Sequence, residues 1–432
     1  MSLLCACGSS STESATTETE EVEEDPVANI PAFQVMETAS EFAGGDGSEE
    51  NPYQIATPQQ LMLFAEHCVE WENRGSCYVL TGDIIFNDVE NIEEVEDLTT
   101  LYGWESTGYY FSGTFDGDGH SINGLYIYPD TGSDMAWCGF IGDANDARIS
   151  NLSIVNSCVD TAGVSSVSEM GVIVGNGYNT EIQNCSSDAT IRCSGVAYSG
   201  AIGGIVGWMQ SGGILQDCSF SGTIELENCS TAWVGGIAGY VSSIDVLSCN
   251  SDFRVFEQDS AADIGGIIGE YKPGADSVIS DCVNYSDLTV STSSIGGLIH
   301  TVSLDQEMEL EDGEWVYSAQ TLHITGCSNE GELYTETGII SDSPSGGLIA
   351  TIFNSQSRET GTGSIVLEDC TNYGSVAGVQ CVGGLVGQVC NAYTQLSIKG
   401  CVNHARLQAR LMWAESWARW IFAVRRTVYR TV

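Results

Sequence analysis

Proline is scarce in this chain, with 7 residues among 432, whereas glycine occurs 50 times. Long helical periodicity is absent except near the two ends. Because proline cannot donate a hydrogen bond to a sheet ladder, the interiors of sheets exclude it. The apolar runs are short groups of Val, Ile and Leu bounded by Gly, Ser, Asn and Asp, and this pattern predicts many short strands joined by turns.

Basic residues are also few. The chain has 13 Lys and Arg residues against 59 Asp and Glu residues, which gives a formal net charge of −46 at pH 7. Because Lys and Arg are the residues that bind phosphate, so acidic a protein repels nucleic acid and anionic lipid. No nucleic-acid partner is therefore expected. The charge indicates solubility outside the cell or, as the alternative, weak and distributed binding of divalent cations.

The common catalytic motifs are missing as well. The sequence contains no HExxH pair of zinc ligands, no GxSxG nucleophile elbow and no GxxxxGK[ST] phosphate loop. The five histidines lie far apart in the sequence, at His67, His120, His300, His323 and His404. The sequence therefore assigns no catalytic residue and no zinc ligand.

Two elements recur along most of the chain, in most copies every 30 to 33 residues. A Gly-rich element such as VGGIAG, ending at Gly239, precedes a strand that carries a cysteine, such as VLSCN. A period of this length predicts a repeat architecture. With three short strands per repeat, we expect an all-β fold, a right-handed parallel β-helix of about nine coils over residues 104–404. The periodic cysteines are Cys185, Cys218, Cys249, Cys282, Cys327, Cys370 and Cys401.

Seventeen cysteines, an odd number, allow two interpretations. In a secreted chain, many cysteines indicate a disulfide framework. In stacked strands, however, periodic cysteines form an interior column at steps of about 4.8 Å, and their parallel side chains strain a disulfide. We expect this structural ladder to consist of buried thiols. Cys68 and Cys77, which flank a turn, are the best disulfide candidates.

The N-terminal segment has a different composition from the repeats. Residues 1–7 resemble a truncated lipoprotein signal, because Leu4-Cys5-Ala6-Cys7 is similar to a bacterial lipobox. This resemblance implies that Cys7 is lipidated. Residues 8–45 are acidic and poor in hydrophobic side chains, which predicts a disordered tether.

Caps are expected at the ends of the repeats. Residues 46–103 predict an N-terminal cap with an amphipathic helix over 57–71, in which Thr57 is the N-cap and Pro58 the first helical residue. At the other end, the basic, Trp-rich residues 405–432 have three interpretations. They form a helix that caps the last coil, a basic amphipathic membrane helix, or a non-native end produced by a frameshift.

Three sets of segments resemble the GLUG-motif repeat family of bacterial surface proteins. NPYQIATPQQLMLFAEH with YVLTGDIIF is similar to the opening of that family, FSGTFDGDGHSINGLYI with GFIGDANDARISNL is similar to its next strands, and the Cys and Gly-Gly elements are similar to its repeat. Together they cover residues 51 to about 404. Known members include adhesin-like proteins and non-catalytic regions of IgA-cleaving metalloproteases. The resemblance implies a β-helix on an extracellular surface, without the protease activity.

Calcium is the one cofactor that the sequence leaves open. Asp116 and Asp118, in an Asp-Gly-Asp-Gly segment, are weak calcium candidates, because a third acidic ligand and the distal Glu of an EF-hand are missing. The alternative interpretation is a turn between two strands, as in the family that the segment resembles. No other cofactor is expected.

Two insertions interrupt the period. The Gly element and the ladder position are separated by 10 to 14 residues in most copies, but by 27 from His300 to Cys327 and by 20 from Ala350 to Cys370. Both insertions occupy the same corner of consecutive coils, so we expect them to project side by side. Such insertions often build the binding face of a solenoid, although they are also tolerated as decorations. The candidate ligand-binding residues, aromatic or acidic, are Trp315, Tyr317, Phe353, Asp312 and Glu314.

The sequence thus predicts a non-catalytic, lipid-anchored cell-surface protein that acts as an adhesin or ligand-binding scaffold. The expected partner is an extracellular glycan or a host or cell-surface protein, and the membrane is contacted only through the N-terminal lipid. The alternative is a β-helix carbohydrate-active enzyme, a glycoside hydrolase or polysaccharide lyase, with paired carboxylates in an acidic groove. Carboxylates are too abundant for the sequence to select a pair.

Overall fold

A computed structural model of the chain describes most of the residues between 31 and 409. The described ranges are 31–106, 110–129, 136–161, 167–194, 200–229, 232–258, 260, 262–290, 294–304, 308–311, 314–317, 320–335, 344–354, 363–378, 381–390 and 394–409. Side chains are not described for 136, 232, 308–311, 314–317 and 409.

The chain forms a right-handed parallel β-helix, as the repeat predicts. Strands of the same type pair in parallel from coil to coil, usually 30 to 33 residues apart along the chain, for example Val206 with Ala238 and Ala238 with Ile268. The structure divides each coil more finely than the sequence does. The Gly-rich element bends at its glycine pair into two strands, and the two residues after each ladder cysteine form a short strand of their own.

The Gly sheet contains the first half of each Gly-rich element, and its eight strands are all parallel. Its strands are Ala136–Cys138, Val167–Gly171, Ala201–Gly203, Ala232–Gly235, Ala262–Gly265, Ile295–Gly296, Ser345–Gly346 and Val382–Gly383.

The long sheet has seventeen strands and is bent into a front half and a ladder half. Two long strands, Val174–Gln183 and Val206–Gln216, pass through both halves. The other front strands are Ile141–Asn145, Ala238–Ser242, Ile268–Lys272, Ile299–Leu304, Ile349–Asn354 and Val386–Cys390. The other ladder strands are Tyr53–Ile55, Cys77–Leu80, Thr114–Asp116, Arg148–Ser150, Asp245–Leu247, Ser277–Ser280, Thr321–Thr325, Ser364–Glu368 and Gln395–Lys399.

The remaining strands close the coil. The Asn sheet follows the ladder cysteines with Ile84–Ile85, Ser121–Asn123, Ser153–Val155, Ser186–Ser187, Ser219–Phe220, Asn250–Ser251, Val283–Asn284, Ser328–Asn329, Thr371–Asn372 and Val402–Asn403. The return strands, in one sheet of six and one of four, are Gly103–Glu105, Tyr126–Tyr128, Cys158–Asp160, Thr190–Ser194, Thr223–Glu227, Arg254–Gln258, Leu288–Val290, Leu333–Thr335, Val376–Gly378 and Leu407–Ala409.

The residue before each ladder cysteine turns the chain into the core. Asn184, Asp217 and Asp281 hold φ values of 52°, 53° and 54° at this position. Only Gly, Asn and Asp adopt this left-handed conformation at low cost.

The cysteines themselves lie in one interior column. Cys218 and Cys249 occupy the same place in adjacent coils, because the residues on either side of them pair in register. Burial raises the pKa of Cys185 well above its usual range, so its thiol stays protonated. No disulfide joins the fifteen cysteines that the structure describes, including the predicted candidates Cys68 and Cys77.

A second interior column consists of asparagines in the Asn sheet. The side-chain amide of Asn284 donates to Asn329 Oδ1 at 2.7 Å, Asn329 donates to Asn372 at 2.8 Å, and Asn372 donates to Asn403 at 2.9 Å. The first three side chains are fully buried. Each amide therefore satisfies the next, as a buried polar group requires. These asparagines are therefore part of the core.

The N-terminal cap closes the first coils with a helix, Pro58–Cys68, and three short 3-10 helices, Trp71–Asn73, Ile92–Glu94 and Leu98–Thr100. Thr57 is the N-cap, and its hydroxyl oxygen accepts a hydrogen bond from the Gln60 amide at 3.2 Å. Phe64 is buried and its ring centroid lies 5.0 Å from that of Phe115. The helix thus covers the open end of the core.

Both predicted boundaries differ from the structure. Residues 31–45 were assigned to a disordered tether, but Phe33 stacks on Tyr128 and Phe42 stacks on Tyr53. These residues therefore pack against the cap and the first coil. At the other end, Leu407–Ala409 still pairs with the return strand Val376–Gly378, so the β-helix extends past the predicted limit of 404. Residues 1–30 and 410–432 lie outside the described residues.

The asparagine column predicts a specific loss of stability. In Asn329→Ala, the buried Asn284 amide loses its short bond to Asn329 and keeps a longer one to the Ser286 carbonyl at 3.4 Å, and the buried Asn372 side-chain carbonyl loses its donor. We expect the free energy of unfolding to fall by about 2–4 kcal/mol, because each unsatisfied buried group costs about 1–3 kcal/mol. Urea denaturation measures this change. The exposed neighbour Glu330→Ala is the control, and equal urea midpoints for the two variants would contradict the role of the column.

Candidate functional site

The two predicted insertions leave the β-helix at adjacent positions. Their entry points pair in register, Leu304 with Asn354, and so do their exit points, Thr321 with Ser364. The Ser364 amide also donates to the Gln320 carbonyl at 2.9 Å. The side-by-side arrangement expected from the sequence therefore holds at the roots of the insertions.

The first insertion contains a β-hairpin. Its strands Met308–Glu311 and Glu314–Tyr317 are antiparallel. Trp315, Tyr317 and Glu314, which are predicted ligand-binding residues, lie on the second strand of this hairpin, and their side chains are not described. Asp312 lies outside the described residues. Their role in binding stays a prediction.

Phe353 is the predicted site residue whose side chain the structure describes. It lies on the front strand Ile349–Asn354 with 45% of its surface exposed. Thr351, two residues earlier, faces the same side because side chains alternate along a strand. The insertions therefore rise from one margin of the outer face of the front strands.

The other margin of this face is a concave corner at the glycine pairs. Here the outer side chains of the Gly sheet meet those of the front strands. Trp233 of the Gly sheet lies 5.7 Å, between ring centroids, from Tyr240 of the front strand, and Asp263 Oδ1 lies 3.4 Å from His300 Nε2. Outward side chains of two sheets can meet only where the sheets enclose an angle. We call this surface the Gly groove.

Glycine is required at the bottom of the groove, where coils approach closely. A Cβ atom added to Gly236 would lie 2.4 Å from the Gly266 carbonyl oxygen and 2.5 Å from Ser251 Cβ. No side chain fits in that space without a backbone shift. The glycine pairs thus fix the bend that brings the two walls of the groove together.

Each wall of the groove is a line of residues that pair in register from coil to coil. The Gly-sheet line is Trp137, Glu169, Ala201, Trp233 and Asp263. The front line is Asp143, Asn176, Trp208, Tyr240, Glu270, Thr301, Thr351 and Gln388.

Aromatic rings occupy the middle of the groove. Trp208 and Tyr240 stack with 3.7 Å between ring centroids and 16° between ring planes. Trp233 reaches across from the opposite wall to within 6.2 Å of Trp208. All three side chains are half-buried, so they give this part of the groove an apolar surface that remains accessible.

Two carboxylates lie at one end of the groove. Asp143 accepts a hydrogen bond from the Asn176 side chain at 2.8 Å, and burial raises the pKa of Asp143. Burial also raises the pKa of Glu169 to about 7, with a hydrogen bond from Trp137 acting against this shift and the charge of Asp143 adding to it. Glu169 Oε2 is buried and accepts no hydrogen bond from the residues that the structure describes. Near neutral pH, Glu169 is therefore poised between its protonated and ionised forms.

A buried histidine fills the groove two coils beyond the aromatic rings. His300 replaces the glycine that ends the Gly-rich element in most other copies, and its Nε2 contacts both Ser294 Oγ and Asp263 Oδ1. Burial lowers the pKa of His300, with Asp263 acting against this shift. A catalytic Ser-His-Asp arrangement uses the two ring nitrogens for different partners. Because Ser294 and Asp263 share one nitrogen, this cluster does not activate Ser294.

The calcium candidates form part of a turn. Asp116 Oδ1 accepts hydrogen bonds from the Asp118 amide and from the Asn151 side chain, both at 2.9 Å. Among the described residues there is no group of three or more His, Cys, Asp or Glu side chains arranged to hold a metal ion. A calcium site at Asp116 and Asp118 stays a prediction, as does lipidation of Cys7, which lies outside the described residues.

The Gly groove was missed in the sequence analysis, although a signal for it exists. In the regular copies, the two wall residues flank the Gly-rich element seven positions apart, as Trp233 and Tyr240 do in WVGGIAGY. Recognising this requires knowing that the element bends at its glycines. If the element is taken as one straight strand, its two ends, and therefore the two wall residues, lie far apart.

Comparisons with known proteins give partial matches. No family model matches the chain, so the resemblance to the GLUG-motif family stays a prediction. Over 156 residues the chain is 30% identical to a protein of Evansella cellulosilytica named "Putative Gly-rich membrane protein", covering 34% of this chain and 16% of that protein. Over 183 residues it is 26% identical to Halomucin of Haloquadratum walsbyi, covering 40% of this chain and 2% of that protein. The chain thus spans a small part of these relatives.

A solved structure from Bacteroides ovatus, described as a "putative immunoglobulin A1 protease", aligns with a TM-score of 0.47 and 18% sequence identity. The alignment covers 76% of this chain and 87% of that chain.

Among the residues that the structure describes, no helix is both long and apolar enough to cross a membrane.

The raised pKa of Glu169 makes a testable prediction about stability. The unfolded Glu has a pKa of about 4.3, so ionisation at neutral and higher pH favours the unfolded chain. Glu169→Gln removes this effect. We expect the variant to match the parent at pH 4 and to be more stable at pH 8, by up to about 3 kcal/mol. Urea denaturation at both pH values measures the difference, and a variant that is less stable at pH 8 would show that the ionised carboxylate supports the fold.

Proposed function

We propose that the chain is a non-catalytic extracellular scaffold that binds a ligand, as an adhesin does, on the outer face of the front strands. This face lies between the Gly groove and the two insertions. The observation that carries the proposal is the in-register origin of both insertions beside this face. Insertions that share one corner of consecutive coils extend the same surface. Two unrelated insertions would not be expected at the same corner.

The chemistry of this face favours an extracellular glycan or a protein partner. The aromatic rings of Trp208, Trp233 and Phe353 supply apolar contact area, and such rings anchor partners in protein interfaces. Glu270 and Asp263 make the same face acidic. A ligand with hydroxyl groups or positive charge is therefore suited to it, and a polyanion is not.

A location at the cell surface completes the proposal. The net charge of −46 disfavours binding to anionic lipid, which leaves attachment to the membrane to a lipid on Cys7. The Evansella relative is named a membrane protein, which supports a surface location. The ligand then approaches the coils from the extracellular side.

Removing the insertions tests the binding face. Residues 305–319 and 355–362 are replaced by the four-residue link that joins Lys272 to Ser277 in a regular coil. We expect the variant to fold, because corners of this kind tolerate changes in length. We also expect affinity for ligands found by a glycan array or a surface-protein screen to fall about tenfold or more.

A matched control is Tyr285→Ala, which removes a half-exposed aromatic ring from the corner that follows the Asn sheet. Its affinity should equal that of the parent. If the doubly shortened variant binds the ligand as tightly as the parent, the insertions do not form the binding face.

A carbohydrate-active enzyme is the second candidate function, and Asp143 with Glu169 favours it. Glycoside hydrolysis uses two carboxyl groups, one of them protonated near neutral pH. Glu169 meets that second condition, and Trp137 and Trp208 lie on the same two walls of the groove. Ionisation of Glu169 at neutral pH is expected to lower the stability of the fold, and functional residues often lower stability in this way.

Turnover separates the two functions. If the chain is an enzyme, polysaccharide hydrolysis should fall about 10²- to 10⁴-fold in Glu169→Gln and in Asp143→Asn. The control is Asp252→Asn, which changes an exposed carboxylate at the corner after the Asn sheet and should retain activity. Ligand binding by all of these proteins without product formation would support the scaffold instead.

A further inference from the structure

Two cysteines face each other inside the corner between the return strands and the Gly sheet. Cys193 lies on the return strand Thr190–Ser194, and Cys229 follows the return strand Thr223–Glu227 of the next coil. Cys229 Sγ lies 2.9 Å from Cys193 Sγ. Both residues are buried, with 5% and 4% of their surfaces exposed.

This pair repeats the geometry of the cysteine ladder with one substitution. From Cys185 to Cys370, each ladder cysteine places its sulfur over a carbonyl of the preceding coil, and the residue that owns this carbonyl is aliphatic. Cys218 lies over Ile182 at 3.5 Å, and Cys282 over Val246 at 3.5 Å. Cys229 lies over the carbonyl of Cys193 at 3.0 Å. The position that is aliphatic in the ladder is therefore a cysteine at this corner, and a thiol meets a thiol.

The backbone holds the two sulfurs in place. Asn228, immediately before Cys229, has a φ of 53°, as the residues before the ladder cysteines do. The Cys229 amide donates to Ser260 Oγ at 3.0 Å. The strand of Cys193 pairs with that of the next coil over five residues. Neither side chain is thus on a loose segment.

The sulfur separation is shorter than a comfortable non-bonded contact. Carbon atoms reach their best van der Waals contact at about 3.5–4.0 Å, and sulfur is larger than carbon. A disulfide bond is about 2.05 Å long, so a movement of about 1 Å converts the contact into a bond. Forming the bond relieves the overlap between two buried sulfur atoms.

We propose that Cys193 and Cys229 form a disulfide that joins two consecutive coils when the chain folds in an oxidising compartment. The oxidant is a disulfide compound of low molecular weight. One cysteine thiolate attacks a sulfur of that compound and releases one of its halves as a thiol. The second cysteine then attacks the mixed disulfide and releases the other half as a thiol. The two cysteines lose two protons and two electrons, and the compound is reduced to two thiols. The ladder cysteines remain thiols.

Refolding of the full chain tests the proposal. The reduced, unfolded chain is refolded either with reduced glutathione alone or with a mixture of oxidised and reduced glutathione. Remaining thiols are alkylated in denaturant, and the protein is digested and analysed by mass spectrometry without reduction. We expect the mixture to give one internal cross-link, between Cys193 and Cys229. The linked peptides should be two hydrogens lighter than the separate thiol peptides.

The cross-link should also raise the melting temperature. A disulfide that closes a long loop stabilises a fold mainly by restricting the unfolded chain. We expect a rise of a few degrees, on the scale that one such constraint gives in a chain of several hundred residues, and dithiothreitol should reverse it.

Two variants decide the assignment. Cys193→Val copies the aliphatic residue found at the equivalent ladder positions, so it should fold with the same circular dichroism spectrum and lose both the cross-link and the shift in melting temperature that depends on redox conditions. Cys218→Ser, in the ladder, should keep both. The proposal is overturned if Cys193 and Cys229 are both alkylated after oxidative refolding. It is also overturned if cross-links connect ladder cysteines, or if Cys193→Val keeps the shift.

Discussion

In-register stacking is the constraint on which this fold depends. Each residue pairs with the residue in the same place one coil above and one coil below, about 4.8 Å away. A buried side chain must therefore fit beside a near copy of itself. Cysteine does so as a small apolar group, and asparagine does so because its amide carries both a donor and an acceptor. A charged residue repeated in either column would lie next to a like charge in the adjacent coil and be repelled by it. No charged residue occupies the columns from Cys185 to Cys401 or from Asn284 to Asn403.

The architecture could be predicted from the sequence because the stacking constraint repeats at a nearly fixed period. Cys218, Cys249 and Cys282 were found by spacing alone, and Thr57 and Pro58 identified the start of the cap helix. The positions of the corners were harder to infer. Asn329 looks like a turn residue by composition, yet it is buried, because a second asparagine lies on either side of it in space. The two neighbouring asparagines, Asn372 and Asn284, lie 43 and 45 residues away along the chain. A local sequence pattern around Asn329 therefore cannot reveal these contacts.

The candidate site illustrates the same limit. The insertions, assigned from the sequence to residues 301–322 and 351–364, are visible as breaks in the period. Glu169 and Asp143 are not, because they are two of 59 acidic residues and only burial distinguishes them. Their raised pKa values arise from the bend at the glycines, which places one wall of the groove against the other. A carboxylate becomes distinctive here through its surroundings rather than through a motif.

The front line of the groove has a consequence for any elongated ligand. Along the axis of the β-helix its residues change from Asp143 and Asn176, through Trp208 and Tyr240, to Glu270 and then the hydroxyls of Thr301 and Thr351. The backbone beneath this line is nearly identical in every coil, but the order of the side chains differs between the two directions along the axis. The surface therefore has a polarity. A chain molecule lying along it meets a different order of contacts in each of its two orientations, so the coils can distinguish its two ends.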